Sequence, residues 1–166
     1  NYIYMELSSN AVEILKKKTI VHYILSHAYM MFFFAVIFGI LFEKFTQLPP
    51  IAEEFGSTGF LFMVLGSVII YWAQSTSGKK TQQMPNFGIR DFALGPYKYS
   101  RNPTHIGLAL LTFGFAIIMQ SFLMIALLVI AYTVTKLIYI PKEEKLLEAK
   151  YGEQYLDYKK KVSSWL

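Results

Sequence analysis

The longest apolar stretch of the chain, residues 106–140, restricts the possible folds more than any other feature. As one straight helix it would be about 52 Å long, whereas the hydrocarbon core of a bilayer is about 30 Å thick. The stretch must therefore turn back on itself. Its polar break, Gln120-Ser121, predicts a helical hairpin with membrane spans at about 104–119 and 121–140.

Two further apolar segments, 19–42 and 58–73, are predicted to be membrane spans, and the second ends in an interfacial Tyr71-Trp72 pair. The chain is 54% hydrophobic and only 16% charged, whereas soluble domains carry about 25% charged residues. Its mean hydropathy is +0.37. We therefore predict an all-α fold, a polytopic membrane helical bundle, with residues 1–166 forming one integral membrane domain that has four transmembrane helices.

Lysine and arginine are distributed unevenly about these spans. Fourteen of the sixteen lie before the first span, in the loop 74–103 or in the tail that begins at Lys142, whereas Lys44 lies in the opposite loop. Such residues accumulate on the cytoplasmic side of membrane proteins. We therefore expect a multi-pass membrane protein with both termini and the 74–103 loop in the cytoplasm. Lys136, inside the fourth span, is expected to snorkel to the interface, although its neighbouring tyrosines would also suit a cavity.

The composition also excludes several kinds of site. The absence of cysteine excludes a disulfide framework, a CxxC redox pair and a thiolate zinc site. The three histidines are scattered, so no metal site is expected. The net charge of +5 is spread over several short segments, which indicates membrane topology rather than nucleic-acid binding.

The start of the third span carries chemistry that a bilayer crossing does not require. Pro103 is expected in the first helical turn, where its missing N–H is tolerated. The backbone N–H groups of residues 104–106 would then be free to bind an anion, with the guanidinium of Arg101 beside them. A cationic, aromatic membrane flank would by itself account for Tyr97, Lys98, Tyr99 and Arg101, but not for residues 102–105.

The tail predicts an amphipathic helix over residues 142–163, bent near Gly152, with lysines that suit an anionic membrane surface. Such a helix does not explain Glu143 and Glu144, because two carboxylates facing acidic headgroups are unfavourable without a cationic partner. An anion site at Arg101 and this acidic pair, on the same side of the membrane, could hold a zwitterion, while tyrosines cover an aromatic base. S-adenosylmethionine has all of these groups.

Three motifs within residues 82–163 carry a family resemblance. Gly-x-Tyr-x-x-x-Arg-x-Pro starts at Gly95, Glu-Glu-x-x-Leu at Glu143, and Tyr-Gly-x-x-Tyr-x-x-Tyr-x-x-x-Val at Tyr151. Together they resemble the isoprenylcysteine carboxyl methyltransferase family; membrane methyltransferases that act on phospholipids share parts of the pattern, and so do sterol reductases. The resemblance implies an enzyme that binds S-adenosylmethionine at the cytoplasmic edge of a helical bundle and methylates a lipophilic substrate arriving sideways from the bilayer.

The resemblance also implies site residues, position by position. Arg101 and Glu144 match strongly patterned positions and are the expected catalytic residues, with Glu144 as the proton acceptor if the substrate is an amine. The expected cofactor-contacting residues are Gln82, Tyr97, Asn102, Pro103, Thr104, His105 and Glu143.

Two departures from the family pattern bear on the substrate. Asn102 stands where the family usually has histidine, which preserves hydrogen bonding to a nucleotide but not proton transfer. Tyr139 stands where the carboxyl methyltransferases have an arginine that holds the prenylcysteine carboxylate. The methyl acceptor is therefore open between a lipophilic carboxylate, a thiol and an amine. Two alternative functions remain. One is a phospholipid N-methyltransferase, and the other is a non-enzymatic membrane protein whose loop binds anionic lipid.

Overall fold

The computed structural model describes residues 26–27, 29–46, 48–51, 53–82 and 92–165, apart from the side chains of residues 53 and 78–82. These residues form helices and turns, and no strand is found among them, as expected for an all-α fold. The part of the first predicted span that precedes residue 26 lies outside the described residues, and so does the side chain of Gln82.

Six α-helices follow one another along the described chain. They are α1 (residues 29–42), α2 (Gly56–Gln82), α3 (Pro103–Ile118), α4 (Phe122–Val134), α5 (Ile140–Tyr151) and α6 (Glu153–Lys161). Short 3₁₀ helices occupy Glu43–Phe45, Glu53–Phe55 and Gly95–Lys98, and a π-helical turn, Thr135–Tyr139, joins α4 to α5.

Two stretches of helix are long and apolar enough to cross a membrane, Gly56–Ser77 and the continuous helix Phe122–Tyr151, whereas α3 is apolar but shorter. Large apolar side chains on their outer surfaces, such as those of Phe60 and Leu137, remain exposed. Apolar surface of this extent requires a cover, and a bilayer supplies one. The count of four spans stays a prediction.

The structure corrects two predicted boundaries. α2 continues to Gln82, so the predicted loop 74–103 begins as helix. A helix that leaves the membrane can continue into water, and no proline interrupts the sequence before Pro85. The predicted tail helix 142–163 is not separate either, because its first part continues from α4 as far as Tyr151.

The hairpin between α3 and α4 has a complete set of caps at the predicted polar break. Gln120 adopts a left-handed conformation (φ 55°), and its N–H bonds to Ile117 O at 3.0 Å while the N–H of Ser121 bonds to Ala116 O at 3.1 Å. These are the two bonds of a Schellman motif, formed here without glycine. Ser121 Oγ then caps α4 by accepting from Met124 N–H at 3.0 Å, and donates to the carboxylate of Glu43.

α2 and α3 approach closely along two pairs of glycines. A Cβ on Gly66 would lie 2.5 Å from Gly107 O, and a Cβ on Gly59 would lie 2.8 Å from Gly114 O. Backbones this close gain van der Waals contact, which is what drives helix association in lipid. The four glycines therefore serve the close packing of α2 against α3.

Gly66→Ala is expected to destabilise the protein by about 1–3 kcal/mol, because the methyl group forces α2 away from α3. Gly56→Ala is the matched control, since a Cβ there meets nothing within 4 Å. Thermal unfolding of both variants in detergent measures the difference. Equal melting temperatures for the two variants would contradict the close approach.

Candidate active site

A buried ion pair joins the two stretches that the sequence predicts to meet. Arg101, just before α3, places Nη2 2.9 Å from Glu144 Oε1 on α5, and the two side chains are only 9% and 11% exposed. The contact is an ion pair rather than an aligned hydrogen bond, since Oε1 has no hydrogen-bond partner among the described residues. The predicted loop-to-tail contact therefore exists, through Glu144.

α6 completes this network from a third direction. Lys159 Nζ lies 3.0 Å from Glu144 Oε2 and 2.6 Å from Glu148 Oε1, and the Lys159 carbonyl accepts a 2.9 Å hydrogen bond from Arg101 Nη1. Two hydrogen bonds raise the pKa of Lys159, and the one to Glu148 contributes more than the one to Glu144. Both oxygens of Glu144 are thus engaged by cations, so this carboxylate holds three segments together.

Glu143 has different surroundings from its neighbour. Its Oε2 is buried without a hydrogen-bond partner among the described residues. Its carboxylate acts electrostatically on the phenols of Tyr97 and, on α1, of Tyr29. Glu143 lies past the apolar part of its helix, and burial, followed by the charge of Glu144, raises the pKa of its carboxyl to about 7.

The π-helical turn explains how α5 directs these two carboxylates. One extra residue per turn rotates everything after it by about 100° relative to an uninterrupted α-helix. Pro141 then occupies the first turn of α5. Consecutive residues on α5 are themselves about 100° apart, so Glu144 meets Arg101 while Glu143 points to the tyrosines.

Tyr97 lies in the 3₁₀ turn before α3, and hydrogen bonds hold both its hydroxyl and its backbone carbonyl. Its hydroxyl is 2.8 Å from Ser77 Oγ on α2, and its carbonyl accepts a 2.7 Å hydrogen bond from Tyr158 Oη on α6. Its hydroxyl also interacts with the side chain of Thr104. Burial is the largest cause of a raised pKa for Tyr97, so it stays a neutral hydrogen-bonding group.

The start of α3 agrees with the prediction only in part. Pro103 is the first helical residue, as expected. The N–H of Ile106, however, bonds to Asn102 O at 3.2 Å, so its predicted availability for an anion was wrong: it belongs to the first closed turn. His105 is 3% exposed, stacks over Tyr29 at 6.5 Å, and keeps Nε2 without a partner among the described residues.

Asn102 is held by residues that the sequence did not single out. Its Nδ2 donates to Ser164 O at 3.0 Å and to Ser164 Oγ at 2.9 Å, rather than capping α3. Ser100 Oγ donates to the same carbonyl, and the Arg101 N–H bonds to Ser163 O. No motif marks these serines, and only the fold brings them under α3.

An aromatic cluster lies next to the site, which it contacts through Tyr158. Phe92 packs against Tyr151, Tyr155 and Tyr158, with ring centroids 5.0 to 5.8 Å apart. Tyr155 and Tyr158 are only 2% and 4% exposed. Tyr155 and Tyr158, on the predicted amphipathic tail helix, therefore pack within the protein against Phe92.

Comparison with known protein families shows to which family the chain belongs. The family model described as phospholipid methyltransferase matches residues 55–154, a range that includes Arg101, Glu143 and Glu144. The chain belongs to the phospholipid methyltransferase family. This family is in the same membrane methyltransferase superfamily as the isoprenylcysteine carboxyl methyltransferases. Comparisons with curated proteins and with solved structures gave no match.

Arg101→Met is expected to lower the free energy of unfolding by about 3–5 kcal/mol, because it leaves Glu144 buried with half of its cationic partners. The double variant Arg101→Met, Glu144→Met should recover most of the loss, since no buried charge is left unpaired. Lys160→Met, which removes an exposed pair with Asp157, is the control. Unfolding in detergent checks all three, and a double variant less stable than Arg101→Met would contradict the pairing.

Proposed function

We propose that the protein transfers a methyl group from S-adenosylmethionine to the amine headgroup of a phospholipid at the cytoplasmic membrane face. The observation that supports this most strongly is the family match, whose range includes Glu143 and the Arg101–Glu144 ion pair. Tyr139 stands where the isoprenylcysteine carboxyl methyltransferases have an arginine that holds the substrate carboxylate. This difference favours an amine headgroup over prenylcysteine as the methyl acceptor.

The buried atoms without partners suit the cofactor that the family implies. Among the described side chains these include Arg101 Nε, His105 Nε2 and Glu143 Oε2. Arg101 Nε and the first N–H groups of α3 would bind a carboxylate. His105 and Glu143 would accept or donate hydrogen bonds to a nucleoside, with Tyr97, Asn102, Pro103, Thr104 and Gln82 completing the contacts. When bound, S-adenosylmethionine supplies a methyl group on a positively charged sulfur.

The chain must also take a proton from the substrate, because an ammonium headgroup has no lone pair to attack with. The sequence favours Glu144 for this role, but both of its oxygens contact Arg101 or Lys159. We propose that Glu144 positions Arg101 and that Glu143 accepts the proton. A pKa of about 7 suits a general base at neutral pH. Burial around Glu143 keeps water from competing with the amine.

The proposed topology places this site in the cytoplasm. Four spans with both termini inside would put the 3₁₀ turn before α3, α5 and α6 on that side. The opposite side would hold Glu43 and the α3–α4 turn, which contact each other through Ser121. The lysine and arginine distribution supports this orientation.

Purified protein in liposomes is expected to transfer radiolabelled methyl groups to phosphatidylethanolamine and not to a farnesylcysteine acceptor. Alkali separates the two products, since a methyl ester releases volatile methanol and an N-methyl group does not. Label found only in alkali-labile product would favour the carboxyl methyltransferase reading. No transfer and no binding of S-adenosylhomocysteine by calorimetry would favour the non-enzymatic lipid-binding reading.

Methyl transfer is expected to fall about tenfold between pH 8 and pH 6, because a carboxyl with a pKa near 7 is mostly ionised at pH 8 and mostly protonated at pH 6. Glu143→Gln should remove at least 99% of the activity and the pH dependence of what remains. Asp157→Asn, an exposed acid on α6, is the matched control. A Glu143→Gln enzyme with the wild-type pH profile would exclude Glu143 as the base.

Because the chain has no cysteine, single cysteines report topology directly. In intact cells a membrane-impermeant maleimide is expected to label Lys44→Cys and to leave Lys160→Cys unlabelled until the membrane is opened. The reverse pattern would invert the proposed orientation.

A further inference from the structure

An apolar cleft lies between α1, α3 and α4, apart from the candidate active site. Its volume is about 230 Å³, and its lining is apolar. Phe32 and Leu128 form the floor and are 1% and 6% exposed. Phe113 and Val129, on the rim, are 37% and 58% exposed. The cleft therefore opens on the outer apolar surface of the helices, which is the surface that a bilayer would cover.

The cytoplasmic mouth of the cleft is aromatic and cationic. Tyr132 lines the cleft and packs its ring 4.8 Å from that of Trp165. Lys136, one turn further along the helix, places Nζ 5.9 Å from the Trp165 ring centroid. Lys136 is exposed and has no carboxylate partner among the described side chains. A cation at the end of an apolar cleft complements a lipid with an anionic headgroup.

We propose that the cleft and Lys136 bind one phospholipid, with a single acyl chain in the cleft and the phosphate on Lys136. The volume has room for roughly seven groups of water or methylene size, at ~30 Å³ each, which is a stretch of one chain and not two. The second chain stays in the bilayer. Trp165 and Tyr132 cover the interfacial region, as such rings do at membrane boundaries.

This inference rests on the proposed function, because it identifies which lipid chemistry reaches the site and how. Lys136 and Glu143 are seven residues apart on one continuous helix, at most about 10 Å along its axis, and the π-helical turn that contains Lys136 comes between them. A phosphate held at Lys136 therefore leaves the amine of the headgroup only a short distance along the helix from Glu143. The competing explanation is that Lys136 only snorkels to water, which requires neither the cleft nor a phosphate.

The first experiment uses liposomes that contain a trace of phosphatidylethanolamine with a photoreactive diazirine in one acyl chain. Labelled peptides are identified by mass spectrometry. We expect the label to concentrate on the α3 and α4 residues of the cleft. Ala109→Trp, which fills the cleft, should reduce that label at least fivefold without weakening S-adenosylhomocysteine binding. Val68→Trp, on the exposed face of α2, should leave the label unchanged. Label spread evenly over the exposed helix faces would overturn the inference.

The second experiment tests the phosphate. Unlabelled phosphatidic acid should compete with the photoreactive lipid at least tenfold better than diacylglycerol with the same chains. Lys136→Gln should abolish this difference and Lys136→Arg should retain it. Equal competition by the two lipids in the wild type would overturn the role of Lys136. Methyl transfer is measured in parallel: cleft labelling without methyl transfer contradicts the proposed function alone, whereas methyl transfer with evenly spread label contradicts this inference alone.

Discussion

The arrangement of the site depends on the buried contact between Arg101 and Glu144. Neither charge is stable alone at this depth, because a buried ion without a partner costs several kcal/mol. Lys159 joins the pair through its ammonium and, separately, through its carbonyl. The start of α3, the N-terminal half of α5 and the end of α6 are therefore held in fixed positions relative to one another. The buried orientation of Glu143 follows from that arrangement, since it is the residue next to a fixed point on a rigid helix.

The membrane part supplies the frame on which that contact is built. The glycine pairs let α2 and α3 touch along their backbones, and this fixes where the turn before α3 meets α2. Gly95 has a φ of 56°, and a Cβ there would lie 2.5 Å from Thr76 Oγ1. Only glycine fits this turn, which then places the Tyr97 hydroxyl on Ser77. Tight packing in the apolar layer thus positions a polar residue in the site below it.

The sequence predicted those features whose causes are local. Pro103 at the start of α3, the turn at Gln120-Ser121 and the break at Gly152 each depend on a few adjacent residues. The features it did not predict depend on contacts across the fold. No characteristic residue pattern marks the π-helical turn in the sequence. This turn nevertheless determines which of the two adjacent glutamates contacts Arg101. Likewise, Ser164, which holds the Asn102 side chain, lies 62 residues away. Phe92, which packs on Tyr158, comes from a distant part of the chain as well.

The helix Phe122–Tyr151 carries three chemically different levels in a fixed order. Its apolar part lines the cleft, Lys136 follows beside Trp165, and the acidic pair comes last, at the buried contact with Arg101. These levels follow one another along a single continuous helix, so their order is fixed. Trp165 contacts the middle level and lies outside the residues that match the family model. The same tail holds Asn102 through Ser164, so within a few residues it contacts both the apolar cleft and the start of α3.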